Sequence, residues 1–244
     1  MGRAFEFRKE RKMKRWANMA KTFTKIGREI SIAVKEGGPD PAYNSRLRMA
    51  IQNAKASNMP KSNVENAIKK ASSKDAEAFD EVVYEGYAPH GVAVIVETAT
   101  NNKQRTVANV RHHFSKMNGS LGVSGSVDYM FERKANFKVE ASDSFDIEEL
   151  ELELIDFGLE EIKTEKDEEK DVDFVVFSCS FEDFGNLQRG LEENELEVKE
   201  SELVRIPTHT KKLEEDQVED VIKLIDKMED DDDVINVFHN MDME

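Results

Sequence analysis

Few side chains in this chain of 244 residues have the type and spacing to do covalent chemistry. The single cysteine, Cys179, closes the apolar run Phe174-Val175-Val176-Phe177-Ser178-Cys179. No cation lies nearby to favour a thiolate, so it reads as a buried structural thiol rather than a nucleophile. One cysteine also excludes an intramolecular disulfide framework and any multi-cysteine zinc or iron–sulfur site. The histidines are His90, His112, His113, His209 and His239. His112 and His113 are neighbours, and neighbours on a helix point about 100° apart, which suits no shared metal. Gly119 to Gly125 lacks the lysine of a Walker loop and the spacing of a dinucleotide loop, so it reads as a plain loop. The acids Asp230 to Asp233 are contiguous, whereas a divalent-cation cage needs spaced ligands, so they read as a solvated turn before a last strand. The expectation is a chain that is not an enzyme and carries no cofactor or metal.

What the residues do favour is polyanion binding. The chain holds 35 Lys and Arg against 51 Asp and Glu, a formal charge of −16. That total hides an asymmetry: residues 1–70 carry a net +11 and the remainder −27. The densest run, Arg8-Lys9-Glu10-Arg11-Lys12-Met13-Lys14-Arg15, ends on the only tryptophan, Trp16. Like charges packed this closely repel one another and gain most when phosphates neutralise them. Further cations, Lys21, Lys25, Arg28, Arg46, Arg48, Lys55 and Lys61, lie between apolar stripes downstream.

Those stripes name the elements that must position the cations. Phe23, Ile26, Ile30, Ala33 and Val34 share one helical face, which Gly37-Gly38-Pro39 terminates. Leu47, Ala50, Ile51 and Ala54 form a second stripe, ended at Asn58-Met59-Pro60. Ser62 to Glu65 has the pattern of a capping box, with Val64, Ile68 and Ala71 following on one face. Helices this short are stable only when packed together, which predicts a basic helical bundle over 1–75. After an acidic linker at 71–80 the period changes. Strands are expected over 81–87 and 92–98, a helix over 103–117 and strands at 127–131 and 136–140. A helix over 146–157, with its acids on the solvent side, leads to strands at 159–164 and 172–179. A helix over 182–193 and a strand over 196–205 follow. The segment 134–206 thus counts as βαββαβ, the ferredoxin-like order. The helix at 214–228 and strand at 234–239 cannot bury themselves alone, and they complete the ββαβ unit begun at 76–133. The predicted architecture is α+β with three domains: the helical bundle (1–75), an α/β domain (76–133 and 207–244) and an acidic α/β domain inserted in it (134–206), both α/β domains being ferredoxin-like. No run of apolar residues is long enough for a membrane span, and Met1 to Arg15 lacks the apolar core of a secretory signal. The expectation is therefore a cytoplasmic protein with no membrane partner.

Several motifs, in order, resemble the YebC/PmpR family. They are Phe23-Thr24-Lys25; Asn44-Ser45-Arg46-Leu47; Asn58-Met59-Pro60-Lys61; Tyr84-Glu85-Gly86-Tyr87; Asn102 with Arg105-Thr106; Gly119 through Met130-Phe131; and Asp232-Asp233-Val234 with Val237-Phe238-His239-Asn240. The resemblance spans nearly the whole chain and is weakest over 140–205. It implies three domains, one inserted in another. It also implies either a DNA-binding transcriptional regulator or, as for a mitochondrial relative, a factor acting in translation on the ribosome. Three features depart from the pattern. The usual Gly-His-Ser-Lys-Trp opening is absent, and Ala88 and His90 replace glycines of the hairpin.

The functional expectation is a nucleic-acid-binding regulator of gene expression, DNA-binding in the first instance. It would use Arg8, Lys9, Arg11, Lys12, Lys14, Arg15, Lys21, Lys25, Arg28, Arg46, Arg48, Lys55 and Lys61, with Trp16 either stacking on a base or packing in the bundle. The alternatives are a ribosome-associated translation factor that binds ribosomal or transfer RNA, and an adaptor whose acidic domains bind basic proteins. Nothing in the residues fixes the oligomeric state; a monomer is the expectation.

Overall fold

The computed structural model describes residues 19–74, 76–142, 145–167 and 172–242. Among the described residues three helices come first: α1 (Met19–Gly37), α2 (Ser45–Ala56) and α3 (Lys61–Ala71). Ile26, Ile30, Ala33 and Val34 of α1 close on Leu47, Ala50 and Ala54 of α2 and on Val64 of α3, because residues three and four apart share a face. One side chain joins the first two helices. Asn44 Oδ1 accepts from the Leu47 N–H at 2.9 Å, while its Nδ2 donates to the carbonyls of Ala33 and Gly38 at 2.7 and 2.9 Å. It caps the start of α2 and ties down the end of α1. The capping box expected at Ser62 does not open α3. The helix begins two residues earlier, with Pro60 as N-cap and no side-chain cap bond. The Pro60 carbonyl takes the N–H groups of Asn63 and Val64, which places Ser62 inside the first turn.

The first sheet is built from β1 (Asp80–Tyr87), β2 (Ala93–Thr100), β3 (Ser120–Leu121) and β8 (Val234–His239), in the order β3-β1-β2-β8, all antiparallel. Helices α4 (Lys103–Lys116) and α7 (Glu215–Glu229) cover one face. Val94, Val96, Val110, Phe114, Val221 and Ile225 lie in the core between them. Gly86 is where β3 comes close: a Cβ there would sit 2.5 Å from the Ser120 carbonyl oxygen. Of the two hairpin residues that depart from the family pattern, only His90 occupies a position that favours glycine, at φ +62°, whereas Ala88 is extended at φ −71°. His90 Nε2 lies 3.2 Å from Asp220 Oδ2 on α7.

The second sheet, β5-β6-β4-β7, contains β4 (Phe131–Glu140), β5 (Leu159–Asp167), β6 (Val172–Ser180) and β7 (Val198–Pro207). Helices α5 (Ile147–Leu154) and α6 (Phe184–Glu193) pack on one face over Phe137, Leu154, Phe177, Leu187 and Leu191. Its βαββαβ chain order and strand order are ferredoxin-like. The first sheet also carries two helices but is wound ββαβ…αβ, so its strand order differs from the ferredoxin-like one. The two strands expected at 127–131 and 136–140 are one. Asp128–Met130 is a short 3₁₀ turn and a single strand runs from Phe131. Arg133, Lys134, Asn136 and Lys138 interrupt its apolar pattern, while Phe131, Ala135, Phe137 and Val139 are buried. On the face without helices, Lys134–Glu160 (3.0 Å) and Lys138–Glu165 (3.6 Å) reach from β4 to β5 across β6. They roof Val176 and Ser178, which are buried. The chain enters this sheet beside the point where it leaves, since Phe131 pairs with Pro207. The stretch 207–212 is tied down: the Thr208 N–H donates to the Met130 carbonyl, and Lys211 bridges to the backbone beside Met241.

Candidate nucleic-acid interface

Arg8, Lys9, Arg11, Lys12, Lys14, Arg15 and Trp16 lie outside the described residues. The other expected contact residues are placed, and the structure sorts them into two groups.

The first group faces the protein's own acidic body. Lys21, Lys25 and Arg28 recur at intervals of four and three along one side of α1, which lies against the turn between α7 and β8. Lys21 Nζ is 3.1 Å from Asp230 Oδ1, and Lys25 Nζ donates to the Glu229 carbonyl at 3.3 Å. Arg28 Nη1 donates to the Ala99 carbonyl at 2.9 Å, to the Asp232 carbonyl, and to Asp233 Oδ1 at 2.9 Å. Its guanidinium also lies 5.2 Å from the centre of the Phe79 ring. Asp233 is therefore no solvated turn residue; it is buried. Arg105 Nη2 reaches its Oδ2 at 2.8 Å, and the hydroxyls of Thr106 and Thr100 donate to the same oxygen at 2.8 and 3.2 Å. Burial alone would raise this carboxyl's pKa, but the bonds from Arg105 and Thr106 and the charge of Arg28 hold it below the ordinary aspartate value,.

The two arginines of α2 are engaged in the same way. Arg46 pairs with Glu36 at 2.8 Å and with Glu81 of β1. Arg48 donates to the carbonyls of Pro41 and Ala42 at 2.8 and 3.1 Å and lies 3.3 Å from Glu192 of α6. Beside them, Asn53 exchanges two hydrogen bonds with Ser201 of β7: Nδ2 to the carbonyl at 2.7 Å, and the Ser201 N–H to Oδ1 at 3.1 Å. A side-chain amide thus pairs with the backbone of an edge strand, as a neighbouring strand would.

The second group faces water. Lys55 keeps 82% of its side chain exposed, with Glu197 3.5 Å away, and Lys61 keeps 90%, with Glu65 at 3.8 Å. Lys69 and Lys70 of α3 are also exposed. A cleft of about 580 Å³ separates α1 and α3 from the first sheet; Arg28, Lys70 and Arg105 share its walls with the acids Glu77, Asp231 and Asp232.

Two joints were not marked as functional by residue type. Glu85, buried on β1, accepts the N–H groups of Gly125, Val127 and Asp128 at 2.7, 2.8 and 2.9 Å. Burial would raise its pKa, but these three donors hold it below the usual glutamate value. Arg205, buried on β7, bonds Glu97 of β2 at 2.8 Å and Asp128 at 2.6 Å, which fastens one sheet to the other. Glu85, like Arg105 and Asp233, falls within the motifs quoted above, whereas Arg205 falls in none of them. Cys179 is buried, and burial pushes its thiol up to about 12. No helix among the described residues is long and apolar enough to cross a membrane.

Residues 3–74 match the family described as the TACO1/YebC protein N-terminal domain, and residues 79–241 match the TACO1/YebC second and third domain. A Flavobacterium johnsoniae protein named "Probable transcriptional regulatory protein" is 58% identical over 241 residues, covering 99% of each chain. A Porphyromonas gingivalis protein of the same name is 53% identical, covering 99% of this chain and 97% of its own. The crystal structure of a conserved hypothetical protein from Aquifex aeolicus superposes with a TM-score of 0.76 at 39% identity, covering 91% of this chain and 90% of that one.

Proposed function

Because the chain belongs to the TACO1/YebC family, we propose that it is a non-enzymatic regulator of gene expression that acts by binding nucleic acid. The observation that carries this reading is the charge segregation, a net +11 over residues 1–70 against −27 over the rest. The names of its relatives, "Probable transcriptional regulatory protein", agree with a regulator. In this reading Arg8, Lys9, Arg11, Lys12, Lys14 and Arg15 make the main phosphate contacts, with Trp16 beside them. Lys55 and Lys61 add exposed charge. Lys21, Lys25, Arg28, Arg46 and Arg48 orient the helices while their charge is shared with the acidic body. Phosphate contacts position a protein without reading sequence, so the reading specifies no target sequence.

Duplex DNA is the first target class. A second reading, structured ribosomal or transfer RNA, is favoured by one observation: a body of net −27 is repelled along a long naked duplex, while a folded ribonucleoprotein also offers basic protein surface,. Crosslinking of the protein to nucleic acid in cells, followed by sequencing, tests both. Reads at discrete promoter sites support the DNA reading, and reads concentrated in ribosomal or transfer RNA support the RNA reading. Substituting Lys12, Lys14 and Arg15 together by Glu should abolish binding while leaving the fold intact. Unchanged affinity at moderate salt would overturn the proposal.

A further inference from the structure

On several elements of this protein, acidic side chains have cations of the same chain beside them. On α7, Lys223 pairs with Glu219 at 3.2 Å. On β5, Glu160, Glu161 and Glu165 are paired by Lys134, Lys163 and Lys138. On α6, Glu192 meets Arg48, and Arg189 lies 4.0 Å from Glu193.

Helix α5, Ile-Glu-Glu-Leu-Glu-Leu-Glu-Leu, with Asp156 just beyond it, differs from these. Glu148, Glu149, Glu151, Glu153 and Asp156 are all exposed, and among the described residues none of them pairs with a lysine or arginine. Glu149 and Glu153 stand four apart on one side, a spacing at which like charges repel. Glu151 and Glu153 also place negative charge at the helix end that already carries the negative pole. The helix holds together because Leu150 and Leu154 pack into the core and because Asp146 accepts the N–H groups of Glu148 and Glu149 at 3.1 and 3.2 Å. Neither contact relieves the repulsion on the outer side.

That outer side is also apolar at its centre. Leu152 points directly away from the core and is 74% exposed, and Ile155, three residues on, is 59% exposed. On α7, by contrast, Val218, Val221, Ile222, Leu224, Ile225 and Met228 are all buried. A single exposed leucine is ordinary; two on one helical stripe, ringed by carboxylates with no internal counter-charge, form a surface with a definite complement.

We infer that the outer face of α5 is a docking surface for a cationic amphipathic protein segment. Apolar side chains of that segment would cover Leu152 and Ile155, and its lysines or arginines would sit among Glu148, Glu149, Glu151 and Asp156. The occupant is assigned by charge. Another acidic surface or a nucleic acid would add to the repulsion already present, whereas a basic segment removes it and loses apolar surface to water at the same time. This site lies on the second sheet and is independent of the nucleic-acid reading.

The test uses the full-length protein and a synthetic amphipathic helix of leucine and lysine as probe, with a scrambled peptide of identical composition as control. Affinity is read by fluorescence anisotropy at near-physiological salt, where long-range attraction between exposed charges is largely screened. The site is read by backbone amide NMR shifts. The amphipathic probe should bind at least about tenfold more tightly than the scrambled one, a difference of about 1.4 kcal/mol. Its shifts should centre on residues 147–156. Leu152→Ser with Ile155→Ser should remove that advantage, and so should Glu148→Gln with Glu151→Gln. Both pairs change exposed residues, so both variants should keep the wild-type thermal midpoint. Glu215→Gln with Asp216→Asn on α7 should change nothing. Equal affinity for the two peptides, shifts centred elsewhere, or full affinity in the Leu152/Ile155 variant would each overturn the assignment. So would concentration-dependent self-association that this variant abolishes, which would make a second copy of the chain the occupant.

Discussion

Arg28 and Asp233 lie 205 positions apart in the chain and 2.9 Å apart in the fold. Around this pair gather Arg105, Thr100 and Thr106, and through it α1 is fixed against the turn that opens β8. The positive face of the helical segment and the negative face of the α/β segments are thus partly each other's counter-ions. A charge map of the folded protein is correspondingly less polarised than its sequence.

Removing this carboxylate should be costly. Taking it away leaves the buried Thr100 and Thr106 hydroxyls and the Arg28 guanidinium without this acceptor, at about 1–3 kcal/mol. Asp233→Ala should lower the urea midpoint accordingly and make the 72–79 segment more sensitive to protease. The wild-type carboxyl has a depressed pKa, so its stabilisation is complete above its ordinary value of 3.8 and fades as pH falls through the lower, folded value,. A variant with unchanged midpoint and unchanged protease pattern would remove Asp233 from this role.

Glu85→Gln should loosen one loop. An amide presents one acceptor oxygen where the carboxylate offered two, and its NH₂ would face backbone donors. The expected cost is about 1–3 kcal/mol. Hydrogen exchange at Gly125, Val127 and Asp128 should accelerate, while that of the α1 amides stays as it was.

Glu29 sets an alkaline limit. Burial pushes its carboxyl from 4.5 up to about 7, with the Glu81 and Glu97 charges acting in the same sense against Arg46 and Lys25. The folded state therefore holds this proton more tightly than the unfolded one. Its contribution to stability is full below 4.5 and is lost as pH rises from there through about 7,. Glu29→Gln should raise the thermal midpoint at pH values above that range and leave it nearly unchanged below 4.5. Parallel wild-type and variant curves across the range would contradict this.

Cys179 should be inert in the folded protein. Its thiol is buried and pushed up to about 12, so the nucleophilic thiolate is absent at neutral pH,. A disulfide reagent should modify it only at the rate of unfolding. Fast modification in native buffer would show that the thiol is accessible.

Nucleic-acid affinity should fall with salt at a log–log slope of roughly −4 to −5, the value for about six neutralised phosphates. Arg46→Glu with Arg48→Glu should lower the thermal midpoint but leave that slope nearly as it was, because both guanidiniums are engaged inside the protein. A slope reduced by roughly 2 would place both residues on phosphate instead.

The helices were legible because their signal is local. The stripes around Ile30, Leu47 and Val64 recur at the helical period and are buried together. The βαββαβ order over the second sheet was legible for the same reason. What escaped the sequence was non-local or depended on alternation being broken. The strand at Phe131 was split because charged and polar residues occupy its outward positions, and the roofing pairs that explain them sit two strands away. Asp233 looked solvated because both of its arginines lie far upstream. The basic face of α1 looked free for the mirror-image reason. The motif residues Glu85, Arg105 and Asp233 were visible as words, but their work as joints became visible only in three dimensions.

The separation between Arg28 and Asp233 also has a meaning in time. Synthesis proceeds from the N-terminus at roughly 5–20 residues per second. The separation of 205 positions therefore delays the arrival of Asp233 by roughly 10–40 s after Arg28 is made. The helical segment, whose own contacts are short-range, folds in far less time than that. On the nascent chain Lys21, Lys25 and Arg28 thus stand without the 229–233 turn until that turn is made, and the same turn brings β8 to the edge of the first sheet. The nascent helical segment is therefore more basic than the folded one, until residues 229–233 are made and come to lie against it.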